Sequence, residues 1–94
     1  MTEDITKKSF VFIIQLEVLA FTTARIMTIL MERSIEVDEL HFYGGDTNCG
    51  RLMIHCQMLH DRIGRTATLM NRLPGVIRMD WMETNAGTMY EKHQ

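Results

Sequence analysis

Five histidine and cysteine side chains in the middle of the chain are the residues best suited to hold a metal ion. Structural zinc sites generally show regular spacing, yet neither Cys-x-x-Cys nor His-x-x-x-His occurs here. Successive residues of a strand point to opposite faces, so His55 and Cys56 cannot serve one site. We therefore expect no metal site, and interpret the group as one buried cysteine with surface histidines. The residues considered are His41, Cys49, His55, Cys56 and His60.

Covalent catalysis and phosphate binding find no support in the motifs. The chain has no Gly-x-Ser-x-Gly sequence and no Cys–His placement typical of a thiolate pair. Glu36, Asp38 and Glu39 indicate a solvated strand edge, and Gly44-Gly45 indicates a hairpin, because no helix follows it. We expect neither an enzyme nor a bound cofactor.

Composition sets further bounds on the function. Ninety-four residues make one small domain, and ten basic against twelve acidic residues give a net charge of −2. This balance gives no electrostatic footprint for nucleic acid, and "RLMIHCQM" (51–58) lacks the aromatic residues of RNA-binding sheets. No apolar run approaches the roughly eighteen residues that span a bilayer. With no signal-peptide pattern and only two cysteines, we expect a cytoplasmic protein.

Four segments of alternating apolar residues predict β-strands. The first is apolar on both sides at its start, which predicts a central strand. The second alternates with a slip that a β-bulge near Asp38–Glu39 would correct, and turn residues over 44–50 join it to the third as a hairpin. The predicted strands are residues 9–18, 35–43, 51–58 and 76–83.

Two segments with helical periodicity lie between the strands. The first, 22–34, begins at Thr22 or Thr23 as a cap, and the second begins at Asp61. The second ends at residue 71 or 72, because Pro74 cannot continue a helix. Apolar stripes define the buried sides, with Ile26, Met27, Leu30 and Ser34 on the first helix and Ile63, Thr66, Ala67, Met70 and Leu73 on the second.

The element order predicts an α+β, ferredoxin-like βαββαβ domain over residues 9–83. Two right-handed crossovers would place both helices on one face of a four-stranded antiparallel sheet. Residues 1–8 and 84–94 are predicted to be flexible tails. The other sheet face would present Val11, Ile13 and Met53. An exposed apolar patch of this kind usually marks an interface, so we expect these residues to form a dimer interface or that of a larger assembly.

Two stretches resemble ACT domains, and most closely the small regulatory subunits of acetolactate synthase. They are "ERSIEVDEL" (32–40) and "LMNRLPGVIRMDWME" (69–83). Residues 33–38, Arg-Ser-Ile-Glu-Val-Asp, stand where those subunits typically read Arg-Gly-Tyr-Asn-Ile-Glu. The resemblance covers about residues 9–83 and matches a short subunit with a single ACT domain.

The resemblance implies an effector site between paired domains. In the family, ACT domains pair through sheet edges, and amino acids bind near the loop after the first strand and the start of the second. The implied effector-binding positions here are Val18, Ala20, Phe21, Thr22, Glu36 and Val37. The family usually has Asp or Asn at the first of these, Gly at the third and Asn at the fifth. Phe21 would fill space that glycine leaves open, so the domain binds a different ligand or none.

Two hypotheses about function follow. The first is a non-catalytic regulatory subunit of acetolactate synthase, which dimerises and docks on a large catalytic subunit dependent on thiamine diphosphate. The alternative is a free-standing ACT-like homodimer that senses an amino acid or another small ligand. A small ferredoxin-like enzyme is a weaker third option, since it would need a cleft with perturbed ionisable groups. None of these involves nucleic acid or a membrane.

Overall fold

The strand with apolar residues on both faces lies inside the sheet, as its pattern predicts. The computed structural model describes residues 7–44 and 49–84. In it, β1 (Lys7–Glu17) pairs antiparallel with β3 (Cys49–Leu59) on one side and with β4 (Val76–Thr84) on the other. β2 (Glu36–Gly44) pairs with β3 alone, so the strand order is β2-β3-β1-β4 with β2 and β4 at the edges.

Two helices cover one face of this sheet. α1 (Leu19–Glu32) connects β1 to β2, and α2 (Ile63–Asn71) connects β3 to β4 after one 3-10 turn at His60–Arg62. The predicted ferredoxin-like βαββαβ fold, with a four-stranded antiparallel sheet and two helices on one face, is confirmed. The side of the sheet that carries neither of these two helices is called the open face below.

The core forms between the helices and alternate residues of β1 and β3. Every second residue of both strands is buried against the helices, because the side-chain period of a strand is two. Burying one such side chain stabilises the fold by about 1.5–3 kcal/mol. The core side chains are Phe10, Phe12, Ile14, Leu16, Ile26, Leu30, Leu52, Ile54, Cys56, Met58, Ile63, Ala67 and Met70.

The predicted bulge in β2 is present and sets which way its side chains point. Val37 pairs with Cys56 and Glu39 pairs with His55, so Asp38 is the extra residue. Val37 and Leu40 therefore both pack against the core, while Glu39 is carried to the open face beside His55.

Both helices begin without the predicted side-chain caps. α1 starts at Leu19, three residues before Thr22, because one residue in the left-handed region turns the chain directly from strand to helix. Thr22 lies buried in the first turn, and its hydroxyl donates to the Glu17 carbonyl at 2.6 Å. Asp61 lies within the 3-10 turn, and α2 starts after Arg62 with no side-chain cap hydrogen bond.

α1 ends in a Schellman motif centred on Ser34. The Ser34 amide donates to the Met31 carbonyl at 3.0 Å and the Ile35 amide donates to the Leu30 carbonyl at 2.9 Å. Ser34 has φ +54°, in the left-handed conformation that usually favours glycine. Ser34 therefore makes this turn at a conformational cost. Ser34 is exposed rather than part of the buried stripe.

The first and last strands extend slightly beyond the predicted bounds of 9 and 83. β1 already begins at Lys7, and β4 continues to Thr84. Residues 1–6 and 85–94, the remainder of both predicted tails, lie outside the described part of the chain.

The Pro74-Gly75 turn fixes the connection between β1 and α1. The Glu17 amide donates to the Gly75 carbonyl at 2.8 Å. Gly75 has φ +98°, and a Cβ atom there would overlap the Thr22 hydroxyl and lie 3.1 Å from the Glu17 carbonyl oxygen. Only glycine adopts this positive φ freely and also lacks the Cβ atom for which there is no space. The turn before β4 therefore packs directly against the first turn of α1.

We predict that Gly75→Ala lowers the free energy of unfolding by about 1–3 kcal/mol, through backbone strain and the clash with Thr22. Gly64→Ala is the matched control, since a Cβ atom there would meet nothing within 4 Å. On the surface of α2 it should leave stability unchanged or raise it by up to about 1 kcal/mol. Urea denaturation of both variants checks this, and equal stabilities would contradict it.

Candidate functional site

The β1–α1 junction carries the first group of predicted effector residues. Val18 has φ +52° and is 48% exposed. A β-branched residue in the left-handed region is a conformational outlier that costs about 1–3 kcal/mol, and such strain clusters at functional sites. Ala20 and Phe21 are also exposed, whereas Thr22 is fully buried. Thr22 therefore packs beneath the surface of the junction, and Val18, Ala20 and Phe21 form that surface.

Phe21 projects from the first turn of α1 into solvent. Its side chain is 55% exposed, and the Arg25 guanidinium lies over the ring, 4.6 Å from its centroid. A cation over an exposed ring contributes about 0.5–1 kcal/mol. Phe21 thus lies on the surface of the junction, and the contact with Arg25 restricts the orientation of its ring.

The second predicted group lies at the opposite end of the sheet. Glu36 pairs with Gln57, which pairs with Ser9, whereas the junction follows Glu17. Ser9 and Glu17 are eight positions apart on β1, roughly 26 Å at about 3.3 Å per residue. The exposed Glu36 and the half-buried Val37 therefore do not meet the junction residues within one chain.

The start of α1 lies beside the end of β2. A Cβ atom on Gly44 would lie 3.8 Å from Leu19 Cδ2, and one on Gly50 would lie 3.2 Å from Leu19 Cδ1. Because Glu36 begins β2 and Gly44 ends it, the two predicted groups lie near opposite ends of the same edge strand.

A cavity of about 130 Å³ lies at the Glu36 end of the sheet. Lys7, Arg33 and Arg62 are among its lining residues. Lys7 Nζ also lies 3.4 Å from a Glu36 carboxylate oxygen, with both side chains about half exposed. Cationic side chains beside a small cavity can bind an anion such as a carboxylate.

The residues predicted to form a dimer interface are placed together on the open face. Val11 and Ile13 pair with His55 and Met53 of β3 respectively. Ile13 and Met53 are half-buried, but Val11 is only 4% exposed in the single chain. Met82, which pairs with Val11 from β4, is 52% exposed. An interface on this face would therefore depend more on Met82 than on Val11.

The register brings three potential metal ligands together that local spacing does not reveal. Oxygen and nitrogen donors of Glu39, His41 and His55 lie within 4.8 Å of one another on the open face. The cluster spans two strands, so no motif within one segment marks it. The predicted bulge and hairpin together imply the pairing of Glu39 with His55, and that register is the signal which sequence reasoning missed.

The remaining three candidate ligands lie apart from this cluster. His60 lies near Phe10, with ring centroids 6.1 Å apart, and its Nε2 is 3.8 Å from a Glu83 carboxylate oxygen. Cys49 is exposed and Cys56 is buried. Burial raises the pKa of the Cys56 thiol from 9.0 to about 12, and the Asp38 carboxylate adds to the increase. Cys56 is thus a core residue, since a nucleophilic cysteine needs a lowered pKa.

No helix in the described part of the chain is both long and apolar enough to cross a bilayer.

Comparisons with known proteins show what fold this is. No family model matches the chain, and no curated protein matches it. The ACT domain of GTP pyrophosphokinase from Chlorobium tepidum is similar in structure, with a TM-score of 0.71 and 12% identity over 82% of this chain and 100% of that chain. Ribosomal protein S6 from Thermotoga maritima has a TM-score of 0.69 and 12% identity over 94% and 97%. The regulatory subunit of aspartate kinase from Thermus flavus has a TM-score of 0.52 and 15% identity over 83% and 52%.

At these identities the similarity establishes the fold alone. The chain has an ACT-like fold, and ribosomal protein S6 shows that the same backbone serves proteins of other kinds.

We predict that a thiol reagent such as DTNB modifies Cys49 rapidly in the folded chain at pH 8 and leaves Cys56 unmodified. A pKa of about 12 for Cys56 reduces its thiolate fraction at pH 8 by roughly a thousandfold relative to an ordinary cysteine. Unfolding in urea should then release the second thiol. Cys49→Ser is the control and should abolish the fast phase. Two equally fast thiols in the folded chain would contradict the burial of Cys56.

Proposed function

We propose that this chain is a non-catalytic, ligand-sensing regulatory domain that works as a homodimer, and specifically a small regulatory subunit of acetolactate synthase. The observation that carries the proposal is the position of the two predicted effector groups at opposite ends of β2. One chain cannot bring them together, whereas two chains can.

Two-fold pairing along β2 provides the geometry. If β2 pairs antiparallel with β2 of a second copy, the Glu36 end of one strand lies beside the Gly44 end of the other. Leu19 and the β1–α1 junction lie over the Gly44 end. Val37 of each copy would then lie on the same side of the paired sheet as Ala20 and Phe21 of the other, next to Val18, while the Glu36 side chain points to the open face. A symmetric pair would contain two equivalent composite sites.

β2 is suited to such pairing. It is an edge strand, and among the described strands it pairs with β3 alone. Edges of this kind must be covered, charged or paired. Glu36, Asp38 and Glu39 charge the start of β2, so parallel pairing of two copies would bring like charges together, whereas antiparallel pairing separates them.

The assignment to acetolactate synthase draws on the resemblance of residues 33–38 and 69–76 to the small subunits of that enzyme. Ser34 supports it, because its left-handed conformation is the one that the glycine of the family phrase would adopt. In this role the homodimer docks on the thiamine-diphosphate-dependent catalytic subunit. Docking changes activity only if it favours the active conformation of that subunit over the inactive one.

The second candidate function is a free-standing sensor of a small anionic metabolite. The cavity of about 130 Å³ with Lys7, Arg33 and Arg62 in its lining favours this function. Pockets for drug-sized ligands measure about 300–1,000 Å³, so this cavity fits only a small carboxylate or the carboxylate end of a larger ligand.

Affinity capture from the native host tests the assignment. We expect the tagged full chain to retain a thiamine-diphosphate-dependent catalytic subunit, and adding the chain to that subunit should raise acetolactate formation. An unrelated tagged protein of similar size serves as the control. A chain that captures no such subunit, yet shows a higher melting temperature with small carboxylates, would contradict the first function and support the second.

We predict that Phe21→Gly removes the ring from the β1–α1 junction and creates or strengthens affinity for valine, leucine or isoleucine. Ala20→Gly is the matched control, since it introduces the same helix-destabilising glycine beside the ring without removing it. Each glycine should cost up to about 1 kcal/mol of stability. Calorimetric titration that detects binding by neither variant would contradict the idea that Phe21 obstructs the site.

A further inference from the structure

We propose that Glu39, His41 and His55 form a binding site for one divalent transition-metal ion on the open face of the sheet. The site is separate from the β1–α1 junction and does not depend on the proposed regulatory function. No motif within one strand marks it, because its ligands come from β2 and β3 together.

The backbone places the three side chains on one surface. Glu39 pairs directly with His55 across the β2–β3 ladder, and side chains opposite one another in this way have Cβ atoms about 4.5–5.5 Å apart. His41 lies two residues further along β2, so it points to the same face as Glu39. The bulge at Asp38 is essential, because without it Glu39 and His41 would point toward the helices.

The three side chains converge on one point of the open face. His41 Nε2 and a Glu39 carboxylate oxygen lie 2.9 Å apart, and the rings of His41 and His55 meet edge to face with centroids 6.0 Å apart. The donor atoms of all three residues lie within 4.8 Å of one another. Tetrahedral ligands at about 2.0–2.1 Å from a metal are roughly 3.3 Å apart, so small side-chain rotations would complete the geometry.

The surroundings permit this rearrangement and limit competing ligands. Glu39 and His41 side chains are each 46% exposed, so they can rotate and an ion can reach them from solvent. Met53 pairs with His41 and Val11 pairs with His55, which gives the cluster an apolar flank within the sheet. Cys56, the neighbour of His55 on β3, is buried on the other side, so its thiolate does not join the site.

The donor set identifies the class of metal. Two imidazoles and one carboxylate suit Zn²⁺, Ni²⁺ and Cu²⁺ rather than Mg²⁺ or Ca²⁺, which prefer oxygen ligands alone. Three protein ligands leave at least one coordination position open. Water or a small donor molecule can occupy that position, because the cluster faces away from the helices.

Zinc titration of the full chain tests the proposal. The chain is first freed of metal with EDTA and then titrated with Zn²⁺ in a calorimeter. We expect one Zn²⁺ per chain, and Co²⁺ should give a visible absorption spectrum that reports imidazole ligation. His41→Ala, His55→Ala and Glu39→Gln should each weaken binding by at least about tenfold, as loss of even supporting groups does at known sites.

Two control variants separate this site from incidental binding. His60→Ala and Cys49→Ser each remove a potential metal ligand that lies outside the cluster. Both variants should bind Zn²⁺ as tightly as the unaltered chain does. Glu39→Gln keeps the side-chain shape, so a loss of affinity with an unchanged melting temperature cannot be attributed to unfolding. Zn²⁺ binding that survives either histidine substitution, that depends on His60 or Cys49, or that is absent altogether would overturn the proposal.

Discussion

The structure depends on β1 being paired on both sides while its alternate side chains are fully buried. Phe10, Phe12, Ile14 and Leu16 face the helices, and each also sits in a register that aligns residues of β3 and β4 on the same face. A shift of one residue in either ladder would turn the apolar side of a whole strand toward solvent. The positions of both helices and both edge strands follow from this one register.

The strand alternation, the bulge in β2 and the stop at Pro74 could all be predicted because each depends on neighbouring residues. The starts of the helices could not. Thr22 is a good capping residue, but it lies inside the first turn of α1, packed against Gly75. Its hydroxyl donates to the Glu17 carbonyl and does not cap the helix. The contact with Gly75 joins residues more than fifty positions apart, so no local propensity contains it.

The candidate sites also depend on contacts between residues that are distant in the sequence. Sequence resemblance names Val18 and Glu36 as parts of one site, but only the sheet register places them at opposite ends of the chain's edge strand. Local spacing likewise separates His41 from His55, whereas the ladder brings them together with Glu39. In both cases the pairing of residues across neighbouring strands decides which side chains lie close together. The proposed roles of these residues therefore depend on register more than on residue type.

The bulge at Asp38 also bears on how far assembly can grow. A bulge bends an edge strand and interrupts its straight ladder, so only residues 39–44 of β2 offer a regular template to an incoming strand. Two copies that paired through these residues would use the β2 edge of each copy, and β4 would remain the outer strand of each. One extra residue thus shortens the regular surface that this edge offers to any incoming strand, and so limits edge-to-edge aggregation.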